Sequence, residues 1–300
     1  MQSPILCLIN RHARSGEEAA EAVAEAFAAA GLPVSLHGVA SPDEARALLR
    51  EHGPGARAVV VGGGDGSISG LAGDLLALGL PVGIVPLGTA NDLATSLGIP
   101  DDPAQAVAVI AGGVTRAIDL GCCNGRWFVN VASIGFSTEV AKAHKGPRKK
   151  WLGVLAYPLA WIDAYRVTRP FSVALTVDDR PVRARCVQFA IGSGRRYGGG
   201  LIISEDASHD DGLLWLYWVR PVRMLGWLGE LPALLTGRFS RAGRTVNMSA
   251  HRVRVETARP KQINVDGELD ASTPADFTVR QRALTVFVPA DDGTASEPPG

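Results

Sequence analysis

Two glycine-bearing segments carry the residue types that bind phosphate. GGGDGS at 62–67 follows the apolar run 58–61 and precedes a helical pattern, and PLGTAND at 86–92 follows the next apolar run. Glycines let backbone N–H groups approach a phosphate, and a helix N-terminus attracts negative charge. Asp65 can orient a nucleotide or reach a metal, and residues 10–16, which end the first apolar run, add a third contributor. Together these segments predict a nucleotide cleft at the carboxyl ends of a parallel sheet.

Each segment also has a purely structural interpretation. The glycine run suits a tight turn, and Thr89 can cap the next helix with Asp92 at its third position. Neither segment has the Lys-Ser/Thr of a Walker A loop or the G-x-G-x-x-G spacing of a dinucleotide fingerprint. Two successive junctions that both carry Asp and hydroxyl residues favour the shared nucleotide cleft.

Two acidic turn segments supply carboxylates. By default, Asp266-Gly267 between apolar runs is a hairpin turn that leaves Glu268 exposed, and DDG at 210–212 is a second turn. Phosphoryl transfer requires a carboxylate near the attacking hydroxyl and magnesium to offset the phosphate charge. The turns alone identify no reaction, but they provide candidate groups for one.

The elements that position these groups fall into two patterns. Up to about residue 120, apolar runs alternate with helical periods, which predicts a doubly wound parallel α/β domain. The later runs are extended and separated by turn signals, which predicts an antiparallel sandwich-like β domain. We therefore expect an α/β domain at 1–120 and a β-rich domain at 121–283, with 284–300 packing back on the first.

The individual elements are predicted from periodicity and capping signals. The first domain should hold strands at 4–9, 32–39, 56–61 and 82–85, and helices at 17–30, from Ser41, 68–78, 91–97 and 103–111. The chain after about residue 119 should hold strands at 127–131, 171–177, 182–191, 213–219, 252–256, 262–265 and 284–288. Helical inserts are expected at 151–165 and near 224–235.

Composition narrows the class of protein. The chain has 300 residues and is 46% hydrophobic, so it is long and apolar enough to bury two cores. Its 30 Lys and Arg residues balance 30 Asp and Glu residues, so any basic surface must be local. Four cysteines without C-x-x-C spacing predict reduced core or strand residues. No segment has the pattern of a signal peptide or a spanning helix, and no nucleic-acid recognition motif is present.

Six motifs occur in a fixed order along almost the whole chain: GGGDGSISG at 62–70, PLGTANDLA at 86–94, VNVASIGFSTEV at 129–140, GSGRRYGGG at 192–200, ASHDDGLL at 207–214 and INVDGE at 263–268. This set resembles the diacylglycerol kinase catalytic-domain family, which includes bacterial lipid kinases, sphingosine kinases and ceramide kinases. The GGDG element alone is shared with NAD kinases. Here Ser67 replaces the usual Thr, Ser69-Gly70 replaces an Asn-Glu pair, and the first loop reads NRHARSG.

The resemblance implies a two-domain lipid kinase with its active site between an ATP-binding domain and a lipid-binding domain. Glu268 is assigned as the base that takes the lipid hydroxyl proton, Asp266 is its nearest competitor, and Asp65 completes the catalytic set. Magnesium would use Asp211 and the carbonyls of Ser208 and Leu213. The residues assigned to ATP are Asn10, Ser15, Gly16, Ser41, Gly63, Gly64, Asp65, Gly66, Ser67, Ile68, Ser69, Thr89, Asn91 and Asp92.

We therefore expect a Mg²⁺-dependent kinase that transfers the γ-phosphate of ATP to a hydroxyl of a diacylglycerol-like lipid. The alternatives are an NAD-kinase-like enzyme with a soluble substrate and a non-catalytic nucleotide- or lipid-binding regulator. We therefore expect a cytoplasmic protein that associates peripherally with membranes and binds no nucleic acid. Whether it forms a homodimer is left open. The basic cluster at 142–150 before the aromatic helix 151–161 either lies in an anionic bilayer interface or packs on the β domain.

Overall fold

A computed structural model describes residues 3–13, 16–139, 168–194, 196–197, 201–202, 207–221 and 245–290. The chain divides into two compact units. Unit 1 comprises Met1–Ile118 and Ala283–Gly300, and unit 2 comprises Asp119–Arg282. Ser15, the basic cluster at 142–150 and both predicted helical inserts lie outside the described residues. No helix in the described part is long and apolar enough to cross a membrane.

Unit 1 is a parallel sheet with strand order β2-β1-β3-β4. The strands are β1 (Ile5–Asn10), β2 (Val34–Val39), β3 (Ala58–Gly63) and β4 (Val82–Pro86). The end of β18 (Ala275–Phe287) joins β4 in parallel through Val286 and Val82. Every residue of β3 is buried, as expected for a strand in a sheet covered on both faces.

The helices of unit 1 are α1 (Gly16–Ala29), α2 (Pro42–His52), α3 (Asp65–Leu78), α4 (Asp92–Ser96) and α5 (Pro103–Gly112). A 3₁₀ turn at Gly53–Gly55 follows α2. Helix α1 packs against α5, and α2 packs against α3. Because β/α crossovers are right-handed, the two pairs cover opposite faces of the sheet, and the predicted doubly wound α/β fold is confirmed.

The described part of unit 2 contains two large antiparallel arrays of strands and one short two-stranded sheet. In the first, the beginning of β18 is followed in order by β15 (Arg252–Thr257), β8 (Phe171–Val177) and β9 (Arg180–Cys186). The second has the order β14-β13-β10-β7-β16-β17. Its strands are Thr245–Ala250, Leu214–Val219, Gln188–Gly192, Val131–Gly135, Gln262–Val265 and Glu268–Ser272. The predicted antiparallel β domain is therefore also confirmed.

Alternating side chains of the two sheets build one apolar core in unit 2. Phe128, Phe189 and Phe277 are almost completely buried there, and the rings of Phe128 and Phe277 meet edge to face with centroids 6.5 Å apart. The remaining described strands are β5 (Thr115–Cys123), β6 (Arg126–Phe128), β11 (Arg196–Tyr197) and β12 (Leu201–Ile202). Strand β6 pairs with β5, and β11 pairs with β12.

Two predicted strands are each divided in the structure. Residues 182–191, predicted as one strand, form the end of β9 and all of β10, which belong to different sheets. The chain passes between the sheets at Val187, and nothing in an unbroken apolar run marks that crossing. Residues 127–131 are likewise divided between β6 and β7, because the backbone at Val129 and Asn130 hydrogen-bonds to a side chain instead of a strand.

The cysteines are free thiols, as predicted. Cys7 lies on β1, Cys122 and Cys123 lie on β5, and Cys186 lies on β9. Burial raises the pKa of Cys7, Cys123 and Cys186 to about 12. Because the thiolate is the reactive form, these three thiols are chemically inert at neutral pH.

Candidate functional site

The strand order of unit 1 reverses between β1 and β3, because β2 lies on one side of β1 and β3 lies on the other. Open α/β sheets bind ligands at the carboxyl ends of the strands at such a reversal. Here those ends are Asn10 and the glycines that follow Gly62. The Asn10 Nδ2 group donates to Ser67 Oγ over 3.2 Å, which joins two of the predicted ATP-binding residues.

Helix α3 begins at this reversal without a side-chain cap. Its N-cap residue is Gly64, whereas α2 and α5 are capped by the side chains of Ser41 and Asp102. As an N-cap, glycine has no side chain that could accept from the N–H groups of the first helical turn. These N–H groups and the helix dipole are suited to an anion such as phosphate.

Gly66 offers a direct test of this anion site. A Cβ built at Gly66 meets nothing within 4 Å among the described residues, and Ala is preferred to Gly inside a helix by about 1 kcal/mol. Because Cα–Cβ bonds lean toward the helix N-terminus, the new methyl group would project toward a bound phosphate. We expect Gly66→Ala to raise the melting temperature slightly and to reduce the additional stabilisation that ATP confers, as measured by thermal shift.

Gly70 provides the matched control for this prediction. It lies one turn later in α3, and a Cβ built there is equally uncrowded among the described residues. Gly70→Ala should therefore raise the melting temperature without changing the ATP-dependent shift. If Gly66→Ala also leaves that shift unchanged, the phosphate does not bind at the first turn of α3.

The two glycine loops touch each other through their backbones. A Cβ on Gly88 would lie 2.5 Å from Gly64 Cα, and a Cβ on Gly64 would lie 3.1 Å from Gly88 Cα. The Leu87 N–H donates to the Gly63 carbonyl at 3.0 Å. Contact between the loops therefore requires glycine at 88 and leaves little room for a side chain at 64 before any ligand binds. A bulky substitution at either position would not test nucleotide binding cleanly.

Asp65 links the first glycine loop to the start of α4. Its carboxylate oxygens accept one hydrogen bond each, at 3.0 Å, from the N–H groups of Asp92 and Leu93. A short helix is thus capped by a side chain from the preceding β/α junction. We expected Asp65 to orient a nucleotide or reach a metal, and that role stays a prediction. The hydrogen bonds from Asp92 and Leu93 show that Asp65 also positions the second loop.

The second loop is held by Asn91, which adopts a left-handed backbone conformation with φ 50°. Its Oδ1 accepts from the Gly88 N–H at 2.9 Å, and its Nδ2 donates to the Gly88 carbonyl at 3.2 Å. Asn91 and Asp92 are both buried. The Asn91 side chain therefore holds the loop from inside, and the assignment of Asn91 and Asp92 to ATP stays a prediction.

Thr89 is exposed at the tip of this loop. The structural interpretation in which Thr89 caps the next helix is wrong, because the N-cap of α4 is Asn91 and the capping carboxylate is that of Asp65. The Thr89 hydroxyl is accordingly presented at the loop surface beside the anion site, where its assignment to ATP remains a prediction.

The other residues assigned to ATP occupy varied positions. Ser41 is exposed, and its Oγ accepts from the Glu44 N–H at 3.2 Å as the N-cap of α2. Ile68 and Ser69 are buried on α3, and the Ser69 Oγ has no hydrogen-bond partner in the described part of the chain. Their side chains face the interior of unit 1. Gly16 begins α1.

In unit 2, Asp266 and Gly267 form the predicted hairpin turn with positive φ angles of 45° and 96°. The Asp266 carboxylate accepts hydrogen bonds from three consecutive backbone N–H groups. The distances are 2.7 Å from Val129, 3.2 Å from Asn130 and 2.7 Å from Val131. Asp266 thereby fixes the segment before β7. Because N–H donors occupy both of its oxygens, it is poorly placed to accept a proton.

Glu268 is the residue directly after this turn. It opens β17 opposite Val265, and it is exposed. The hairpin holds its backbone, so the side chain projects from a fixed strand end. The structure therefore separates the two acids that the sequence left as competitors: Asp266 organises the backbone, and Glu268 presents a carboxylate at the surface.

The DDG segment closes into a loop around Asp211. The carboxylate of Asp211 accepts from the N–H groups of Ser208 at 3.0 Å and Leu213 at 2.8 Å, and from the Trp215 indole N–H at 2.7 Å. Within the described part of the chain, no cluster of three or more His, Cys, Asp or Glu residues could hold a metal ion. A cation here would depend on one carboxylate together with carbonyl groups and water.

That donor set fits magnesium. Among the described residues, two of the three N–H donors bond to Oδ2 and one, that of Leu213, bonds to Oδ1, which leaves Oδ1 the more available oxygen. Magnesium binds oxygen ligands and usually retains several waters. The predicted ligands Asp211, Ser208 and Leu213 thus lie in one loop, which the N–H donors close without a metal.

Asp119 is a site residue that the sequence analysis missed. It is completely buried, and its carboxylate accepts from the N–H groups of Gly212 at 2.6 Å and Arg282 at 2.7 Å. Its own N–H donates to the His209 carbonyl at 2.6 Å. Asp119 therefore supports the DDG loop from inside unit 2. The available signal was an acidic residue within the apolar run AIDLG, which indicates a buried, hydrogen-bonded carboxylate.

Comparison with known proteins finds two family domains in succession along the chain. Residues 4–123 match the diacylglycerol kinase catalytic domain, and residues 130–288 match the YegS C-terminal NAD kinase beta sandwich-like domain. The chain is 32% identical to a "Probable lipid kinase YegS-like" of Pseudomonas aeruginosa, with 100% of this chain and 99% of that protein covered. It is 29% identical to a diacylglycerol kinase of Bacillus subtilis, with 90% of each covered.

A crystal structure of a diacylglycerol kinase from Bacillus anthracis has the same fold. It superposes with a TM-score of 0.79 at 24% sequence identity, covering 95% of this chain and 97% of that one.

Proposed function

Because the chain belongs to the family of kinases that join a diacylglycerol kinase catalytic domain to a YegS-type C-terminal domain, we propose that it transfers the γ-phosphate of ATP to a hydroxyl of a diacylglycerol-like membrane lipid. Lipid kinase and diacylglycerol kinase are the activities in its relatives' names. The specific phosphate donor, the acceptor lipid and the metal are our proposals.

The observation that carries the proposal is the uncapped start of α3 at the strand-order reversal of unit 1. The first turn of α3 would bind the phosphates of ATP through backbone N–H groups, and Asn10, Ser67 and Thr89 would contribute polar side chains around them. Asp65 and Asn91 keep the second loop against the first. Their contribution to nucleotide binding is positional.

Glu268 is the residue that we propose accepts the proton of the lipid hydroxyl. An alcohol is a poor nucleophile, and removing its proton as phosphorus is attacked is general base catalysis. Glu268 is exposed at a fixed strand end, whereas Asp266 is held by three N–H donors. Asp266 would act by holding the turn from which Glu268 projects.

Magnesium would be held by Asp211 with the carbonyls of Ser208 and Leu213. A bound divalent cation there supplies positive charge that organises the loop and its electrostatics. The buried carboxylate of Asp119 keeps the loop in place through Gly212.

We expect Asp211→Asn to raise the magnesium concentration needed for half-maximal activity by at least about tenfold, because replacing a charged ligand weakens metal binding by that order or more. The magnesium-dependent shift in melting temperature should fall in parallel. Asp210→Asn is the control: Asp210 is exposed and hydrogen-bonds only to the Ser208 side chain among the described contacts. Equal magnesium dependence in both variants would count against a metal at Asp211.

The assay that tests the proposed function combines labelled ATP, magnesium and extracted membrane lipids, with the labelled product identified by mass spectrometry. Phosphorylated lipid supports the proposal. The NAD-kinase-like description of the C-terminal domain makes a soluble acceptor the second candidate, and label transfer to NAD in a lipid-free reaction would favour it. ATP binding without turnover on any lipid would indicate a regulator.

A further inference from the structure

The outer face of the first sheet of unit 2 is exposed at every second position. The inward side chains of β8, β9 and β15 belong to the apolar core. The outward ones are exposed and consist of Ser172, Ala174, Thr176, Pro181, Arg183, Arg185, Arg252, Arg254 and Glu256. This is the ordinary alternation of a sheet with one face in solvent, but the arginines on that face have unequal surroundings.

The arginines of β15 are neutralised by neighbouring carboxylates. Arg252 binds Asp179 at 2.8 Å, and Arg254 binds Glu256 at 3.0 Å and Asp276 at 2.9 Å. All of these side chains are substantially exposed. This half of the face therefore carries ion pairs with little net charge.

Within the described residues, Arg183 and Arg185, the two outward arginines of β9, have no such partners. By register, Arg183 lies opposite Ala174, and Arg185 lies opposite Ser172. No ion pair of either arginine occurs within the described residues. Strand β9 ends the sheet order there, and its sequence RPVRARC contains no acid. We call Arg183 and Arg185 the arginine edge.

The arginine edge is a local concentration of positive charge, since the whole chain has a formal net charge of zero. Lys261 does not add to this face: its Nζ group lies 4.6 Å from the centroid of the Phe171 ring, and Phe171 points into the apolar core. A local basic surface can attract an anionic partner even when the molecule as a whole is neutral.

The shape and composition of the face indicate which partner fits. Next to the arginine edge lie Ser172, Ala174 and Thr176, whose small side chains leave a flat surface. The outward positions of β8, β9 and β15 include no aromatic residue on which a nucleic-acid base could stack. We propose that the arginine edge docks on the anionic headgroups of a lipid bilayer. This inference rests on the proposed lipid substrate, which requires the protein to reach a membrane.

The competing explanation is protection of a sheet edge. Charged side chains on an edge strand discourage pairing with another chain, and the arginine edge would serve that purpose without any lipid. The two explanations predict different defects when the charge is removed. Loss of docking weakens vesicle binding, whereas loss of protection produces self-association.

The test is sedimentation of Arg183→Gln/Arg185→Gln with vesicles of equal parts phosphatidylglycerol and phosphatidylcholine at low salt, without ATP. A basic residue near an anionic membrane contributes about 1 kcal/mol, so removing two should weaken partitioning by about 30-fold. Arg50→Gln/Arg57→Gln is the matched control. It makes the same change in net charge at two exposed positions of unit 1 and should leave vesicle binding nearly unchanged.

Several outcomes would overturn the proposal. Equal weakening by the control pair would indicate a net-charge effect, and unchanged vesicle binding together with a larger particle in light scattering would indicate edge protection. Equal binding of the natural chain to pure phosphatidylcholine vesicles would exclude headgroup charge as the attraction. Vesicle sedimentation does not require turnover, so a negative result there can be distinguished from a negative result in the kinase assay. Activity on a water-soluble short-chain lipid should survive in the Arg183→Gln/Arg185→Gln variant.

Discussion

Glu268→Gln is expected to lower turnover by about 10²–10⁴-fold, the usual contribution of a positioned general base. Glutamine keeps the length and one acceptor oxygen of glutamate but cannot take a proton at neutral pH. Because Glu268 is exposed at a hairpin, its replacement should leave the core and the melting temperature unchanged. Steady-state kinetics should show kcat falling while the KM values for ATP and lipid change little, which indicates loss of an interaction made in the transition state.

Asp266→Asn is the matched comparison, two residues away. An amide would present its NH₂ group to at least one of the N–H donors of Val129, Asn130 and Val131, so the variant should lose about 1–3 kcal/mol of unfolding free energy in urea denaturation. A stable Asp266→Asn protein without activity, alongside a Glu268→Gln protein with near-normal turnover, would show that the base is Asp266.

Asp65→Ala is expected to weaken ATP binding and turnover by about 10²-fold, the scale at which a misplacement of roughly 1 Å affects catalysis. The substitution leaves the N–H groups of Asp92 and Leu93 without their acceptor. The start of α4 should then move away from the first loop and take the Thr89 loop with it. Isothermal titration with an ATP analogue and steady-state kinetics would measure the two losses.

Asp102→Ala separates this effect from a general loss of stability. Asp102 caps α5 by accepting from the Gln105 N–H at 2.9 Å, and its removal should lower the unfolding free energy by about 0.5–2 kcal/mol. ATP affinity should nevertheless remain normal, because α5 is not part of the two loops. If Asp65→Ala retains ATP affinity and instead requires more magnesium, Asp65 is a metal ligand and the positioning role is wrong.

Much of unit 1 could be predicted because its signals are local. The helices predicted from Ser41 and at 103–111 begin where local capping signals stand, and in the structure their N-caps are Ser41 and Asp102. The hairpin turn at Asp266-Gly267 was predictable for the same reason, since a two-residue turn depends on adjacent residues alone. The family motifs then identified which of these junctions carry the chemistry.

The roles of the acids could not be predicted, because each depends on partners far away in the sequence. Asp65 bonds to N–H groups 27 and 28 positions later, and Asp266 bonds to groups 135–137 positions earlier. Asp119 reaches Gly212 and Arg282 over 93 and 163 positions. A motif shows that a carboxylate is present, but whether it faces backbone N–H groups or a substrate is decided by the fold.

Helix α4 is capped by Asp65, which lies outside the helix, and this affects the order in which the chain folds. A helix of five residues is too short to form alone, since nucleation costs more than one turn of hydrogen bonds returns. Helix α4 receives its first-turn acceptors from Asp65, so it can become stable only after β3 and the start of α3 have formed. The amide hydrogens of Asp92 and Leu93 should therefore exchange with solvent at the rate at which the preceding glycine loop opens, and α4 should be among the last helices of unit 1 to acquire protection during refolding.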